Sequence, residues 1–289
     1  MLITLKEILS IAEERKIAVG AFNAANMESL EANVHAAEAL KLPVIIQFAQ
    51  CHEPWIALDL IGPVMIRMAE KASVPVCVHL DHGETLEYLK QALDIGFTGI
   101  MYDGSTLPYE ENLANTKKAV ELAKQYGASA EAELGSMGRR ESGEGVGSGE
   151  EDETKIYTDP ILAKEFVKDT GIDALACSFG TTHGIYLKAP RLDFNVVTNV
   201  RAETNGIPVV MHGGSGVSKE DFHKAVEAGV RKINYFTYMD KAGGAAAQEA
   251  LRKMISDGSP VFFSTLSMAA RAEMQKNVEE AMKTFARID

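Results

Sequence analysis

The chain has few cysteines, fewer basic than acidic residues, and no long apolar run. Its three cysteines are Cys51, Cys77 and Cys177, too few and too scattered for a disulfide framework or a CxxC metal site. We therefore expect all three to be reduced, small packing residues.

The 29 Lys and Arg residues against 41 Asp and Glu residues give a net charge of −12. This balance predicts no nucleic-acid binding, because phosphate backbones are bound through clustered basic side chains.

The chain also lacks a membrane span and an internal linker. No apolar stretch is long enough to cross a bilayer, so no membrane association is expected. The opening segment MLITLKEILSIAEERK mixes acids and bases in a helical pattern, unlike a signal peptide, and predicts a cytoplasmic location. Because no Pro/Ser-rich linker divides the chain, residues 1–289 are expected to form a single domain.

Short runs rich in Val, Ile and Phe alternate with longer amphipathic stretches, a pattern typical of βα units and a parallel sheet. Eight such runs end at residues 23, 48, 80, 103, 134, 179, 212 and 236. Eight strands close a barrel, so we predict an α/β fold, a single (β/α)8 TIM barrel with a C-terminal helical segment at about 240–289. The Gly-rich, charged segment at about 138–155 has no period and predicts a mobile lid.

Polar side chains interrupt this apolar pattern where the predicted strands end. Parallel strands covered on both faces are nearly all apolar, and the C-terminal ends of barrel strands form the rim where barrel enzymes carry out their chemistry. The polar residues in or just beyond the last positions of these strands are Asn23, Asp81, His82, Asp103, Glu133, His183, His212 and Asn234. We therefore expect them to surround one site.

Three histidines on one rim indicate a metal site. A lone histidine near a strand end is more often a hydrogen-bonded structural residue, but His82, His183 and His212 together form a set that suits Zn²⁺ and leaves positions open for a substrate. In a regular strand Asp81 points away from His82, so it is predicted to stand beside the metal as a proton-transfer group. His79 lies deeper and is predicted to be a core residue.

The segment HGGSG, from His212 to Gly216, predicts an oxyanion site. Gly213 and Gly214 have no Cβ to keep a ligand away, and Ser215 adds a hydroxyl. Phosphate sites after the seventh and eighth strands are frequent in these barrels. The alternative is a tight turn that needs positive φ.

The chain resembles the class II, zinc-dependent ketose-bisphosphate aldolases, the fructose/tagatose-bisphosphate aldolase family. The motifs GAFN, HLDHG, YDGSTLPYEEN, EAELG, YTDP, GTTHG, HGGSG and KIN occur in the order typical of that family, from about residue 3 to residue 237. The resemblance implies cleavage of a phosphorylated ketose to dihydroxyacetone phosphate and an aldehyde. It also implies a catalytic Zn²⁺, a monovalent cation near the phosphate loop, and a homodimer or homotetramer.

The resemblance also implies residue roles, position by position. His82, His183 and His212 match the zinc ligands, and Asp81 matches the residue that exchanges a proton at the C4 hydroxyl. Glu141 matches a proton shuttle in the lid, and Asn234 matches the residue that steadies the enediolate. The dihydroxyacetone phosphate site corresponds to Gly184, Gly213, Ser215 and Thr237, to which we add Asn23. Asp103 and Glu133 match carboxylates at an alternate, buried metal position.

Three positions depart from the family pattern, all on the substrate side. Phe236 stands where the family has a small or acidic residue, Ala49 replaces a serine, and Val261 replaces an arginine that clamps the distal phosphate. Arg271 is a candidate substitute, although a helix arginine is by default solvated. Without this hydroxyl and this arginine, the chain lacks two groups that would bind a second phosphate. We therefore predict that fructose 1,6-bisphosphate is a poor substrate.

Two other functions fit parts of this pattern. The same histidines fit a metal-dependent barrel hydrolase or epimerase, which ester or lactone turnover without aldehyde release would support. A non-catalytic, aldolase-like subunit that stabilises a partner protein is the second alternative. The complete set of Asp81, Glu141 and the three histidines favours the aldolase.

Overall fold

Eight parallel strands close into a barrel in which each strand pairs with the next and the eighth pairs with the first. The computed structural model describes residues 1–135, 157–182, 184 and 190–288. The strands are β1 (Val19–Asn23), β2 (Val44–Ala49), β3 (Val76–Gly83), β4 (Gly99–Tyr102), β5 (Ser129–Leu134), β6 (Ala174–Cys177), β7 (Val209–Met211) and β8 (Val230–Tyr235). The predicted TIM barrel is confirmed, and the predicted lid at about 138–155 lies outside the described residues.

Helices join the strands, and their ends follow local sequence signals. The Thr4 hydroxyl and the Glu7 side chain form a capping box at the first helix, and Asp159 caps a later helix that begins at Pro160. The helices are α1 (Leu5–Arg15), α2 (Met27–Leu40), α3 (Leu58–Lys71), α4 (Leu86–Ile95), α5 (Tyr109–Gln125), α6 (Pro160–Thr170), α7 (Phe194–Glu203), α8 (Lys219–Ala228), α9 (Thr237–Ser256) and α10 (Phe263–Ala286), with a short 3₁₀ turn at Gln50–His52.

The barrel interior is apolar at one end and polar at the other. Apolar residues of α1, among them Leu5 and Leu9, pack with Val19, Ile45 and Cys77 in one buried cluster. Because these strand residues stand at or near the N-terminal ends, α1 closes that end of the barrel. The polar rim identified from the sequence lies at the opposite, C-terminal ends, where the interior is left open to ligands.

The two C-terminal helices complete the outer layer. The α10 helix packs against α9 and α2, and its Phe285 ring contacts the rings of Phe22, Phe222 and Tyr235. The Phe285 carbonyl accepts a hydrogen bond from the Ala18 amide, which ties α10 to the start of β1. None of the helices within the described residues combines the length and apolarity needed to span a membrane.

Candidate active site

A break in β3 brings two neighbouring side chains to the same site. The pairing of β3 with β4 shifts register between Leu80 and Gly83, and His82 has a φ of +49°, in the left-handed region that non-glycine residues rarely adopt. Asp81 Oδ1 therefore lies 3.9 Å from His82 Nε2. The expectation that Asp81 points away from His82 is wrong, because it assumed a regular strand.

His82 and His212 face each other through one nitrogen each. His82 Nε2 lies 3.0 Å from His212 Nδ1. The other nitrogen of each ring meets a carboxylate: His82 Nδ1 lies 2.7 Å from Asp103 Oδ2, and His212 Nε2 lies 2.9 Å from Glu131 Oε1. Since a carboxylate accepts hydrogen bonds, these outer nitrogens carry the N–H, and the two facing nitrogens present lone pairs.

Two facing lone pairs require a cation between them. Burial lowers the pKa of His82, but the charges of Asp81 and Asp103 outweigh burial and raise that pKa to about 10. The site therefore attracts positive charge, either a proton or a metal ion. Ligand atoms of Asp81, His82 and His212 all lie within 4.8 Å of one another, and carboxylates that orient metal-binding imidazoles are the usual support of a zinc site. The donor set present fits zinc, and the third predicted ligand, His183, lies outside the described residues.

The predicted alternate metal position also comes together beside His82. Ligand atoms of His82, Asp103 and Glu133 lie within 4.8 Å of one another, and Glu133 Oε2 is 3.7 Å from His212 Nδ1. Burial and the nearby Asp103 charge raise the pKa of Glu133 to about 8. Glu133 is therefore protonated near neutral pH unless a cation binds beside it.

Amide groups hold the Asp81 carboxylate in place. Asn23 Nδ2 donates to Oδ2 and Asn234 Nδ2 donates to Oδ1, each at 3.0 Å, and Gln47 Nε2 donates to Oδ2 at 3.1 Å. Burial opposes ionisation of Asp81, but the positive charges of His82, His212 and Lys232 outweigh it and lower the pKa of the carboxyl. Asp81 is therefore ionised, and its carboxylate is held in one orientation.

A buried charged layer that the sequence analysis missed lies beneath these residues. Glu131 Oε2 lies 2.9 Å from Lys232 Nζ, with both side chains fully buried, and 3.4 Å from His79 Nε2. Lys232 also donates to Asn234 Oδ1 at 2.8 Å. His79 is a core residue as predicted. Alternate residues of a strand share a face. Glu131, two residues before Glu133, and Lys232, two residues before Asn234, could therefore have been assigned to the barrel interior from the sequence.

Most of the predicted substrate residues line one cleft at the rim. The cleft, together with the open solvent at its mouth, has a volume of about 790 Å³. Its predicted members are Asn23, Asp81, His82, Gly184, Gly213, Ser215, Asn234 and Thr237. Glu141, predicted to act from the lid, lies outside the described residues. Ala49 and Phe236, two of the three departures from the family pattern, line the same cleft.

The HGGSG segment bends where two backbones approach closely. Gly213 has a φ of +65°, and a Cβ there would meet the Thr182 carbonyl oxygen at 2.3 Å. A Cβ on Gly214 would meet the Asn234 carbonyl oxygen at 2.8 Å. Backbone packing alone therefore explains both glycines. Their proposed role in binding phosphate depends instead on the cleft that they line and on the α9 N-terminus beside it, where backbone N–H groups favour anions.

The turn after β2 adds residues that no sequence pattern identified. Cys51 and His52 line the cleft, and Cys51 is exposed, so the expectation that it is a packing residue is wrong. Cys77 and Cys177 are buried as expected, and none of the three cysteines forms a disulfide within the described residues. The His52 ring stacks on Trp55 with centroids 4.5 Å apart and lies 4.9 Å from the Phe236 ring.

Comparisons with known proteins agree with this geometry. The sequence model of the family described as "Fructose-bisphosphate aldolase class-II" matches residues 3–289. The fructose-bisphosphate aldolase of Staphylococcus aureus (strain N315) is 35% identical over 294 residues, covering 98% of this chain and 97% of that protein. The fructose-bisphosphate aldolase of Geobacillus stearothermophilus is 40% identical over 260 residues, covering 87% and 86%. The crystal structure of the YdjI aldolase from Escherichia coli K12 superposes with a TM-score of 0.86 at 34% identity, covering 99% of this chain and 97% of that one. The chain therefore belongs to the class II fructose-bisphosphate aldolase family, whose members are carbon–carbon lyases.

Proposed function

We propose that this chain cleaves a phosphorylated ketose reversibly to dihydroxyacetone phosphate and an aldehyde, with zinc held by His82, His183 and His212. The observation that carries the proposal is the pair of facing imidazole nitrogens 3.0 Å apart, with Asp81 beside them. Zinc dependence and this type of cleavage are general properties of the family. When bound, zinc supplies a Lewis acid that polarises the substrate carbonyl.

Asp81 and Asn234 divide the proton chemistry in this proposal. Asp81 accepts the proton of the C4 hydroxyl when the C3–C4 bond breaks and returns it in the reverse direction. Asn234, which donates to Asp81 and accepts from Lys232, orients that carboxylate and stands ready to hydrogen-bond the ketone-derived fragment. Glu141 is proposed to exchange the proton on that fragment.

The phosphate of the ketone end is proposed to bind between the two loops that meet at α9. Gly184, Gly213 and Ser215 line one part of the cleft, and Thr237, the first residue of α9, lines another. The Tyr238 amide lies 3.4 Å from Ser215 Oγ, which joins the two loops. Asn23 completes this set through its contact with Asp81.

The substrate is proposed to be a ketose 1-phosphate rather than fructose 1,6-bisphosphate. Ala49 provides no hydroxyl at the end of β2, and Val261 provides no charge between α9 and α10. Arg271, the candidate substitute, forms an ion pair with Glu31. Among the described residues that line the cleft, none is Lys or Arg. A second phosphate therefore has no cationic partner among those described residues.

The test is cleavage of a panel of ketohexose 1-phosphates and 1,6-bisphosphates that covers the stereoisomers at C3 and C4. Dihydroxyacetone phosphate is measured with native enzyme, with chelated enzyme and after zinc is restored. We expect zinc-dependent cleavage of at least one monophosphate. Cleavage of fructose 1,6-bisphosphate at about 1 s⁻¹ or faster would refute the substrate assignment, and cleavage that survives complete chelation would refute the zinc site.

Two variants separate the chemistry from the fold. Asp81→Asn removes the proton acceptor and should abolish cleavage while zinc still binds. Asp94→Asn is the matched control, because Asp94 is an exposed carboxylate ion-paired with Lys90 on α4. Equal rates for the two variants would contradict the role given to Asp81.

We further propose that the chain forms a homodimer or homotetramer through the segment that joins α9 and α10. Large apolar side chains are exposed in that segment, at the end of α9 and at the start of α10, namely Ile255, Val261, Phe262, Phe263 and Met268. Exposed apolar clusters of this kind often mark subunit contacts. Light scattering of native protein and of Phe263→Asp would test this, and a native mass of one chain would refute it.

A further inference from the structure

An aromatic surface follows β2 and β8 on the side of the cleft next to Asp81. His52 contacts two other rings: its centroid is 4.5 Å from that of Trp55 and 4.9 Å from that of Phe236. Trp55 and Phe236 are themselves 6.2 Å apart and tilted by 30°. We call these three residues the aromatic wall. His52 and Phe236 line the cleft, and Trp55 is 62% exposed, so the wall continues outward from the cleft.

The wall is held by the turn that carries it. The Trp55 and Ile56 amides donate to the His52 carbonyl at 2.9 and 3.2 Å. Glu53, within the same turn, accepts from the Leu58 amide at 3.1 Å and from the Tyr88 hydroxyl. These bonds fix the backbone of the turn before a ligand arrives, which lowers the ordering cost of binding.

His52 carries an unused polar atom within this wall. The side chain is 5% exposed, and Nδ1 has no hydrogen-bond partner among the described residues. Burial lowers the pKa of His52 to about 4, so the ring is neutral at physiological pH. A buried polar atom without a partner is costly and is usually satisfied by a ligand or water.

The described acids near the wall disfavour an anion there. Asp81 and Glu84 are the acids among the described lining residues, none of which is Lys or Arg. A negatively charged group at the wall would be repelled by these carboxylates. Flat apolar rings beside one hydrogen-bonding nitrogen suit a chain of C–H and O–H groups instead, because the C–H faces stack on rings while a hydroxyl reaches the nitrogen.

We propose that the aromatic wall of His52, Trp55 and Phe236 is a specificity subsite that binds the uncharged, hydroxyl-bearing end of the ketose, beyond C4. The inference rests on the proposed function, because it assigns the part of the substrate that becomes the aldehyde. Asp81 and His52 line the same cleft, and Asp81 pairs with Ala49, the last residue of β2 before the turn that carries His52. A sugar whose C4 hydroxyl meets Asp81 can therefore extend onto the wall. His52 Nδ1 is buried in the structure as it stands, so in this proposal a small rotation of the ring exposes it to one of the distal hydroxyls.

Binding of uncleavable ligands tests the subsite without depending on catalysis. The probes are a hexitol 1-phosphate, which has no ketone, the corresponding hexitol 1,6-bisphosphate, and dihydroxyacetone phosphate, which has no distal end. Trp55 is the single tryptophan of the chain, so its fluorescence reports binding at the wall. Calorimetry on the zinc-loaded protein gives the affinities, including those of Trp55 variants.

We expect the hexitol 1-phosphate to bind more tightly than the bisphosphate and to change the Trp55 emission. Phe236→Ala and Trp55→Leu should each weaken hexitol 1-phosphate binding by about tenfold while leaving dihydroxyacetone phosphate binding unchanged. His52→Phe keeps a ring but removes Nδ1, and should show the same selective loss. Tyr126→Ala is the matched control, since Tyr126 is 41% exposed just beyond α5 and before β5.

Three outcomes decide the matter. Tighter binding of the bisphosphate, or unchanged hexitol affinity in all three wall variants, would overturn the subsite even if the enzyme cleaves ketose 1-phosphates. Equal losses for hexitol 1-phosphate and dihydroxyacetone phosphate would also overturn it, because they would indicate general damage to the cleft. Selective losses in an enzyme that cleaves no ketose would support the subsite and refute the proposed reaction.

Discussion

Glu131 is the buried residue whose replacement gives the most informative test of this barrel. Its carboxylate lies 2.9 Å from His212 Nε2 through one oxygen and 2.9 Å from Lys232 Nζ through the other. Glu131→Gln keeps the size of the side chain but leaves the Lys232 ammonium buried without its counter-charge. Removing one partner of a buried pair costs about 3–5 kcal/mol, and the replacement creates no cavity. We therefore expect the free energy of unfolding to fall by about 4 kcal/mol.

The same replacement should weaken zinc binding by a separate route. The glutamine offers one carbonyl oxygen to two donors, the His212 N–H and the Lys232 ammonium. If Lys232 takes it, His212 loses the acceptor that orients its ring, and loss of such support lowers metal affinity by about 10–100-fold. Competition with a chromogenic chelator measures that affinity, and urea denaturation of the metal-free protein measures stability.

A second replacement isolates the charge. In the double variant Glu131→Gln, Lys232→Met both charges are removed, so stability should recover to within about 2 kcal/mol of native. Zinc affinity should also recover in part, because without Lys232 the glutamine carbonyl is free to accept the His212 N–H. A stability loss below about 1 kcal/mol in the single variant, or no recovery in the double variant, would refute the argument that a buried charge imbalance dominates.

Three further predictions follow from individual contacts. Asp81→Asn should lower kcat by about 10²–10⁴-fold. Its zinc content, measured by atomic emission, should stay native. A rate within a few-fold of native would exclude Asp81 as the proton acceptor. Asp103→Asn should weaken zinc binding about 10–100-fold, because Asp103 holds the N–H of His82; unchanged affinity in the chelator assay would contradict this. Glu13→Gln should destabilise the fold by about 1 kcal/mol at pH 7, since Glu13 is partly exposed and its pairs with Arg231 and Arg201 are screened. Burial opposes ionisation of Glu13, but hydrogen bonds from Arg231 and Lys16 outweigh it and lower its pKa from 4.5 to about 2, so the difference between native and variant should be complete above pH 4.5 and vanish as the pH falls to 2. A difference that persists at pH 2 would refute that account.

The barrel was predictable from sequence because its signals are local. Each strand is a short apolar run that ends abruptly, and the structure places the strand ends within three residues of the predicted positions, as at Leu80 against the observed Gly83. Polar residues at those ends then predicted the rim. Both inferences depend only on the alternation of apolar runs with amphipathic helices.

The break in β3 was not predictable in this way. Whether Asp81 and His82 point in opposite directions depends on how β3 pairs with β4, and the register shift between Leu80 and Gly83 is a property of that pairing. The sequence assigns alternating directions to neighbouring residues, so it separated two side chains that the folded barrel brings within 3.9 Å. The aromatic wall was missed for a similar reason, because His52 and Phe236 meet only when β8 closes the barrel.

The positions that the sequence missed explain how the rim is held. The Lys232 ammonium contacts both Glu131 and Asn234. It therefore links Glu131, which accepts from His212, to Asn234, which donates to Asp81. Lys232 and Glu131 do not line the cleft themselves, but their contacts hold side chains of the site, among them Asn234. His212, proposed to bind zinc, and Asp81, proposed to accept the proton, thus share one buried support although they belong to different strands. We therefore expect a change at Lys232 to alter zinc affinity and proton transfer together, whereas a change at Asp103 should act on the metal side, through His82 and Glu133.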